Sequence, residues 1–216
     1  MEERMKPGGL IGVTLELLRN NAAAAMAAFA GLVAVSTAFD VLRPESYTNL
    51  PASIAGMLAQ FILTKIALDR LGVVQRTSRG TGPAFIGLSI LTNLGILAGL
   101  VLLVLPGIYL VMRWSASVPI LIAEESGPIE SIGESWRRTN GHVVPITIAY
   151  LFSLLPLLGI LGIGLVEGVF PDLAGPATAL GLNLFVYAWL ILSWYLSIAI
   201  YLAVSRVPDD LEQVFA

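Results

Sequence analysis

Cysteine is absent from this 216-residue sequence, and histidine occurs once, at His142. The first absence excludes disulfides, cysteine nucleophiles and thiolate metal sites, and the second leaves no partner for an imidazole metal centre. Charge is scarce as well. Only 12% of residues are charged, against roughly a quarter in soluble domains. The net charge of -3 is too small to imply a nucleic-acid partner. No polybasic cluster marks a dedicated anionic-lipid surface.

What the chain has in quantity is apolar surface: 56% of residues are hydrophobic and the mean hydropathy is +0.84. Its uncharged runs are long enough to cross a hydrocarbon core about 30 Å thick, which takes roughly 20 helical residues. They are continuous rather than alternating, which rules against a β-barrel, and helices satisfy their own backbone groups in lipid. The expected fold is therefore all-α, an integral membrane helical bundle of one domain. Spans are expected at about 22–39, 52–68, 84–104, 107–123, 142–166 and 178–204. The second is the least apolar, since it carries Gln60 and Lys65, the latter near an end from which it can snorkel. The run at 22–38 could pass for a signal-peptide core, but three glutamates precede it, a poor signal-peptide start.

Residues 84–123 admit two readings: one long helix kinked at Pro106, or two spans joined by a turn at Pro106-Gly107. Forty residues of helix would run about 60 Å, twice the hydrocarbon thickness, so the hairpin is preferred. Positive charge agrees with it, because Lys and Arg in short loops stay cytoplasmic. With six spans and both termini inside, Arg4, Lys6, Arg19, Lys65, Arg70, Arg76, Arg79, Arg137, Arg138 and Arg206 lie on one side, Arg43 on the other and Arg113 within the bilayer.

Two segments read as amphipathic surface helices, at about 8–20 and 128–139. In the first, Leu10, Thr14, Leu17 and Leu18 make the apolar face, with Glu16 and Arg19 polar. In the second, Ile129, Ile132 and Trp136 share one face while Glu130, Glu134, Arg137 and Arg138 take the other. Pro128 suits its first turn, Asn140-Gly141 its end, and Glu134 to Arg138 is a favourable i,i+4 pair. Each segment leads into a span, and Glu16-Leu-Leu-Arg19 aligns with Glu134-Ser-Trp-Arg137, so the halves could be a parallel repeat. The bland alternative is that helices preceding spans resemble one another. Two GxxxG pairs, Gly95 with Gly99 and Gly164 with Gly168, read as internal packing, and Pro119, Pro145 and Pro156 as kinks.

The run LPGIY at 105–109, Arg113, Pro119, Glu124-Glu125 and GPIESIGESWRRTNG at 127–141 resembles uncharacterised bacterial multi-pass membrane proteins. That family includes the membrane domain fused to some glycerophosphodiester phosphodiesterases. The resemblance implies a six-span membrane domain and no activity of its own. A phosphodiesterase half would need a metal-binding cluster of histidines and carboxylates, which this sequence does not offer.

Arg113 is the residue that composition makes conspicuous, because intramembrane arginines usually face a bundle interior or a wet cavity. One reading is structural: the side chain snorkels outward to pair with Asp40 or Glu167, or bonds carbonyls that Pro106 leaves free. The other is an anion or headgroup site with Asn93, Ser115 and Ser117 as polar neighbours. No catalytic residue, metal site or cofactor is expected. The chain reads as a bacterial inner-membrane protein acting structurally or in regulation through lipid contacts, a protein partner or a homo-oligomer. The alternative is a small transporter or lipid-handling protein with its site near Arg113. A polar-lined central cavity would favour the latter, and a bundle packed shut the former.

Overall fold

The computed structural model describes residues 5–42, 50–74, 81–170 and 175–205. Among them are ten helices: α1 (Pro7–Asn20), α2 (Ala22–Leu42), α3 (Leu50–Arg70), α4 (Thr81–Leu102), α5 (Val104–Arg113), α6 (Ser117–Glu124), α7 (Pro128–Arg138), α8 (Val143–Ser153), α9 (Leu157–Val169) and α10 (Pro176–Val204). Five stretches are long and apolar enough to cross a membrane: α2, α3, α4, Val104–Glu124 (α5 with α6) and α10. The pair α8 and α9, bent by 46°, makes a sixth if counted as one span. Of the charges used to orient the chain, Arg4, Arg43, Arg76, Arg79 and Arg206 lie outside the described residues.

The short helices seal one end of the bundle. α1 buries Leu10, Thr14 and Leu17, one stripe at helical spacing, and packs across α8 and α10. It stops at Asn21, whose side-chain amide donates to the Leu17 carbonyl at 2.9 Å. From the end of α3, Arg70 donates to the Asn20 carbonyl at 2.6 Å. α7 packs on α4 and α6 and ends before Gly141, at φ +81°, where glycine carries no steric penalty. A parallel repeat would seat α7 on α2 and α3 as α1 sits on α8 and α10; the observed packing is different.

The hairpin expected between the third and fourth spans is present, but its turn is displaced. Leu103, not Pro106-Gly107, is the extended residue between α4 and α5. Pro106 becomes the third residue of α5, where a missing N–H is harmless because first-turn donors have no helical acceptor. Gly107 contributes to packing instead: a methyl on Gly99 would come within 2.9 Å of the Gly107 Cα. Gly95 likewise admits the Trp114 ring, which a methyl would meet at 2.6 Å. That GxxxG pair is internal packing as expected. Gly164 and Gly168 face open space, because α9 packs chiefly on α10 and buries no residue.

Pro119 breaks the fourth span at residues 114–116, and the freed backbone groups are rebonded by neighbours. Its missing N–H leaves the Ser115 carbonyl to the Ser197 hydroxyl of α10, at 2.5 Å. The Ser117 N–H turns back to the Trp114 carbonyl, so the Arg113 carbonyl accepts from Ser135 Oγ at 2.9 Å and Thr139 Oγ1 at 3.2 Å. Ser135 Oγ also accepts from the Ala116 N–H at 3.2 Å. Ser131, Ser135 and Thr139 are wholly buried and recur every four residues, the spacing of one helix face. Satisfying a broken helix with hydroxyls of adjacent helices is how membrane bundles tolerate proline. Pro145 causes no kink, since it lies in the first turn of α8, whereas Pro156 stands at the α8–α9 bend.

The core is concentrated at the α1/α7 end, where α10 is buried almost continuously from Trp194 to Tyr201 against α1 and α6. The opposite end is splayed. From the shared level of Ser115 and Ser197, α10 runs about 31 Å further to Pro176, but the chain from Ser115 to Leu103 runs only about 18 Å at 1.5 Å per residue. The hairpin tip, Val101 to Leu105, is 63–79% exposed and entirely apolar.

Candidate functional site, a polar cavity among four spans

A cavity of about 540 Å³ lies between α2, α3, α4 and α10 in the looser part of the bundle. Each helix brings polar side chains to it: Ser36 from α2, Ser53 and Gln60 from α3, Ser89 and Asn93 from α4, and Asn183 from α10. Tyr187 and Trp194 line it along α10, one and three turns beyond Asn183. Among the described residues none that lines it is charged, and the Asp40 carboxylate stands just behind Asn183. Polar side chains inside spans are costly to place in hydrocarbon and face interiors or wet cavities, which is why these four helices turn their amide and hydroxyl groups toward one another.

Two of the amides are held by their surroundings. Asn93 Nδ2 donates to the Ser89 carbonyl one turn back, at 2.7 Å. Asn183 Nδ2 donates to Asp40 Oδ2 at 2.8 Å and Thr37 Oγ1 at 3.2 Å. That leaves the two amide oxygens to accept from an occupant and the second Asn93 N–H to donate to one. Toward the α1/α7 end, Phe61 and Phe85 pack with ring centroids 5.2 Å apart, joining α3 to α4 just below Gln60 and Ser89.

Of the residues singled out by sequence, only Asn93 reaches the cavity. Ser115 and Ser117 donate to the Met112 and Trp114 carbonyls at 2.8 and 2.7 Å, helping close the broken span rather than serving Arg113. Arg113 lies at that break, 3% exposed. Its guanidinium carbon is 4.4 Å from the Trp136 ring centroid and 5.8 Å from that of Tyr109, and Nη1 donates to Asn140 Oδ1 at 3.4 Å. Neither carboxylate proposed as its partner is there; Asp40 serves Asn183 instead. Sequence reasoning missed Ser36, Ser53, Gln60 and Asn183 as a group. The available signal was one or two polar residues in each of several otherwise apolar runs.

On α7, Ile129 is 78% exposed and Ile132 packs against the core. Trp136 is partly exposed and lies against the Arg113 guanidinium, while Arg137 faces outward. The hydroxyl stripe is a third face of this helix that an apolar–polar division overlooks. Arg138 ties three elements together: Nη1 and Nη2 engage both oxygens of Glu124, the latter at 2.7 Å, Nε meets Glu134 at 2.9 Å and Nη1 meets Ser205 at 3.2 Å. The hydrogen bonds to Glu124 hold the Arg138 pKa above its ordinary range. Glu134 is held below the usual carboxylate range, first by its bond to Arg137 and then by Arg138. Among the described residues, no three His, Asp or Glu side chains converge as metal ligands would.

The fold and the cavity define a multi-pass, all-helical membrane protein with amide and hydroxyl groups gathered between four of its spans. The chain belongs to the family described as the membrane domain of glycerophosphoryl diester phosphodiesterase, whose model matches residues 81–207. That stretch takes in α4 to α10, and with them the whole α5–α6 joint, Arg113 and α7. No curated protein and no solved structure matches the chain.

Proposed function

We propose that this chain is a non-enzymatic lipid-handling protein of the bacterial cytoplasmic membrane, with both termini cytoplasmic, that holds a lipid headgroup in the cavity. The observation that carries this is the cavity's lining: amides and hydroxyls from four helices and, among the described residues, no charged one. Such a site favours a hydrogen-bonding, uncharged headgroup portion such as a polyol over a bare anion, which would call for Arg or Lys. Trp194 and Tyr187 offer apolar faces beside those groups. α4 and α10 are not closely packed against each other, although both line the cavity. The family description names an enzyme of glycerophosphoryl diesters, the polar part of a phospholipid, and a lipid-binding membrane domain suits it. A purely structural scaffold is the weaker reading, since it gives no reason to keep this volume open.

The orientation rests on Lys6, Arg19, Lys65, Arg70, Arg137 and Arg138 gathering at the α1/α7 end. Native mass spectrometry of the gently extracted protein tests the function. The wild type is expected to carry a lipid in addition to whatever a variant with both Asn93→Leu and Asn183→Leu retains. Identical lipid retention by the two proteins would remove the cavity from the function.

A further inference from the structure

We propose that Arg113 is the ligand for a phosphodiester headgroup of a phospholipid in the leaflet next to the α1/α7 end, at a site separate from the cavity. A guanidinium carries five N–H donors and no acceptor. Here one donor reaches Asn140 at a long 3.4 Å, and Nε is buried with no partner. Among the described residues no carboxylate pairs with Arg113. The guanidinium carbon lies 4.4 Å from the Trp136 ring centroid, a contact that attracts the cation but supplies no anion. A buried cation left this way is costly unless an anion completes it. A phosphate presents oxygens at the spacing the guanidinium fork prefers.

Depth selects the lipid. Trp136 and Asn140 belong to α7 and the segment just after it, and α7 also carries Arg137, whose side chain is 74% exposed. A helix with such a residue lies in the headgroup region, not in hydrocarbon, and Arg113 touches it. α10 agrees: from Ser197, which is bonded to Ser115 two residues past Arg113, to Pro176 is about 31 Å of helix, a full hydrocarbon thickness. Arg113 therefore stands at one membrane boundary, where phosphates are. It is not at mid-bilayer, as its place in an apolar run suggests.

The test uses the full chain in detergent micelles doped with phosphatidylglycerol, diacylglycerol or inorganic phosphate, read by native mass spectrometry. In the Asn93→Leu, Asn183→Leu background, which disables the cavity, the protein is expected to retain phosphatidylglycerol in preference to diacylglycerol. Arg113→Gln should weaken that retention about tenfold or more, and Arg113→Lys, which keeps charge but loses the fork, by a smaller factor. The Asn93→Leu, Asn183→Leu variant should still bind, which separates this site from the cavity. Equal retention of phosphatidylglycerol and diacylglycerol by that variant would overturn the proposal even if Arg113→Gln failed to fold. Retention of inorganic phosphate without lipid preference would assign the site to free phosphate and overturn the lipid assignment.

Discussion

The Ser197 hydroxyl donates to the Ser115 carbonyl at 2.5 Å, which is the carbonyl that Pro119, four residues on, cannot bond. One proline thereby obliges a serine on another helix, 82 residues away in sequence, to complete the fourth span. Ser197→Ala should destabilise the protein by about 1–3 kcal/mol, the cost of a buried acceptor left unsatisfied. Pro119→Ala restores an N–H to compete for that carbonyl, so the loss from Ser197→Ala should shrink in its background. A double-mutant cycle by thermal unfolding in detergent should give a coupling on the order of 0.5–3 kcal/mol. Simple additivity would refute the link.

The hairpin tip falls about 13 Å short of the outer end of α10 when both are measured from the Ser115–Ser197 level at 1.5 Å per residue. Its exposed residues are all apolar. Leu103→Cys, in a chain with no native cysteine, should resist an impermeant thiol reagent from both sides of the membrane. Ready labelling from outside would show instead that the turn emerges into water.

Gly107 lies so close to α4 that a methyl there would meet the Leu100 backbone nitrogen at 2.7 Å. Because backbone cannot move aside as a side-chain tip can, Gly107→Ala should cost roughly 1–3 kcal/mol by overpacking. Gly164→Ala, facing open space, should be close to neutral. Melting temperatures of the two variants decide the point.

Arg138 engages Glu124, Glu134 and Ser205 with a planar fork. Arg138→Lys keeps the charge but cannot reproduce that geometry. It should lower stability by about 1 kcal/mol, a figure reduced for the partial exposure of all three charged groups. Rescue of full stability by lysine would mean that charge alone matters.

Glu134 has a folded pKa below its ordinary value, chiefly because Arg137 bonds its carboxylate. Its contribution is therefore complete above the unfolded carboxylate range and disappears as pH falls through the lower, folded value. Unfolding curves taken from about pH 7 to about pH 3 should show a shallower acid loss for Glu134→Gln than for the wild type. Parallel curves would argue that the exposed bond contributes nothing measurable.

Much of the architecture was legible in the chain. The apolar spans, the two short helices and the α4–α5 hairpin follow from apolar run length and helical spacing, because lipid favours nearly unbroken apolar helices, although the run expected at 142–166 is two helices bent by 46°. The turn was misplaced because Pro106-Gly107 looks like a turn by its local chemistry. That chemistry also suits the first turn of a helix and a close helix approach. The cavity was mostly illegible. Ser36, Gln60 and Asn183 are separate, unremarkable interruptions in three runs, and only packing makes them neighbours.

Arg113 shows where the division falls. Its residue type and its place in an apolar run were enough to say that it could not be idle, since an unpaired charge in hydrocarbon is costly. Sequence alone thus determined a membrane bundle, its order of helices and one arginine in need of an explanation. Its depth and partners were decided by tertiary structure, because Pro119 breaks the fourth span and the hydroxyls of α7 and α10 dock into the break. Helical periodicity extends only a few residues along one element. Which helix supplies the missing hydrogen bond depends on how ten of them pack.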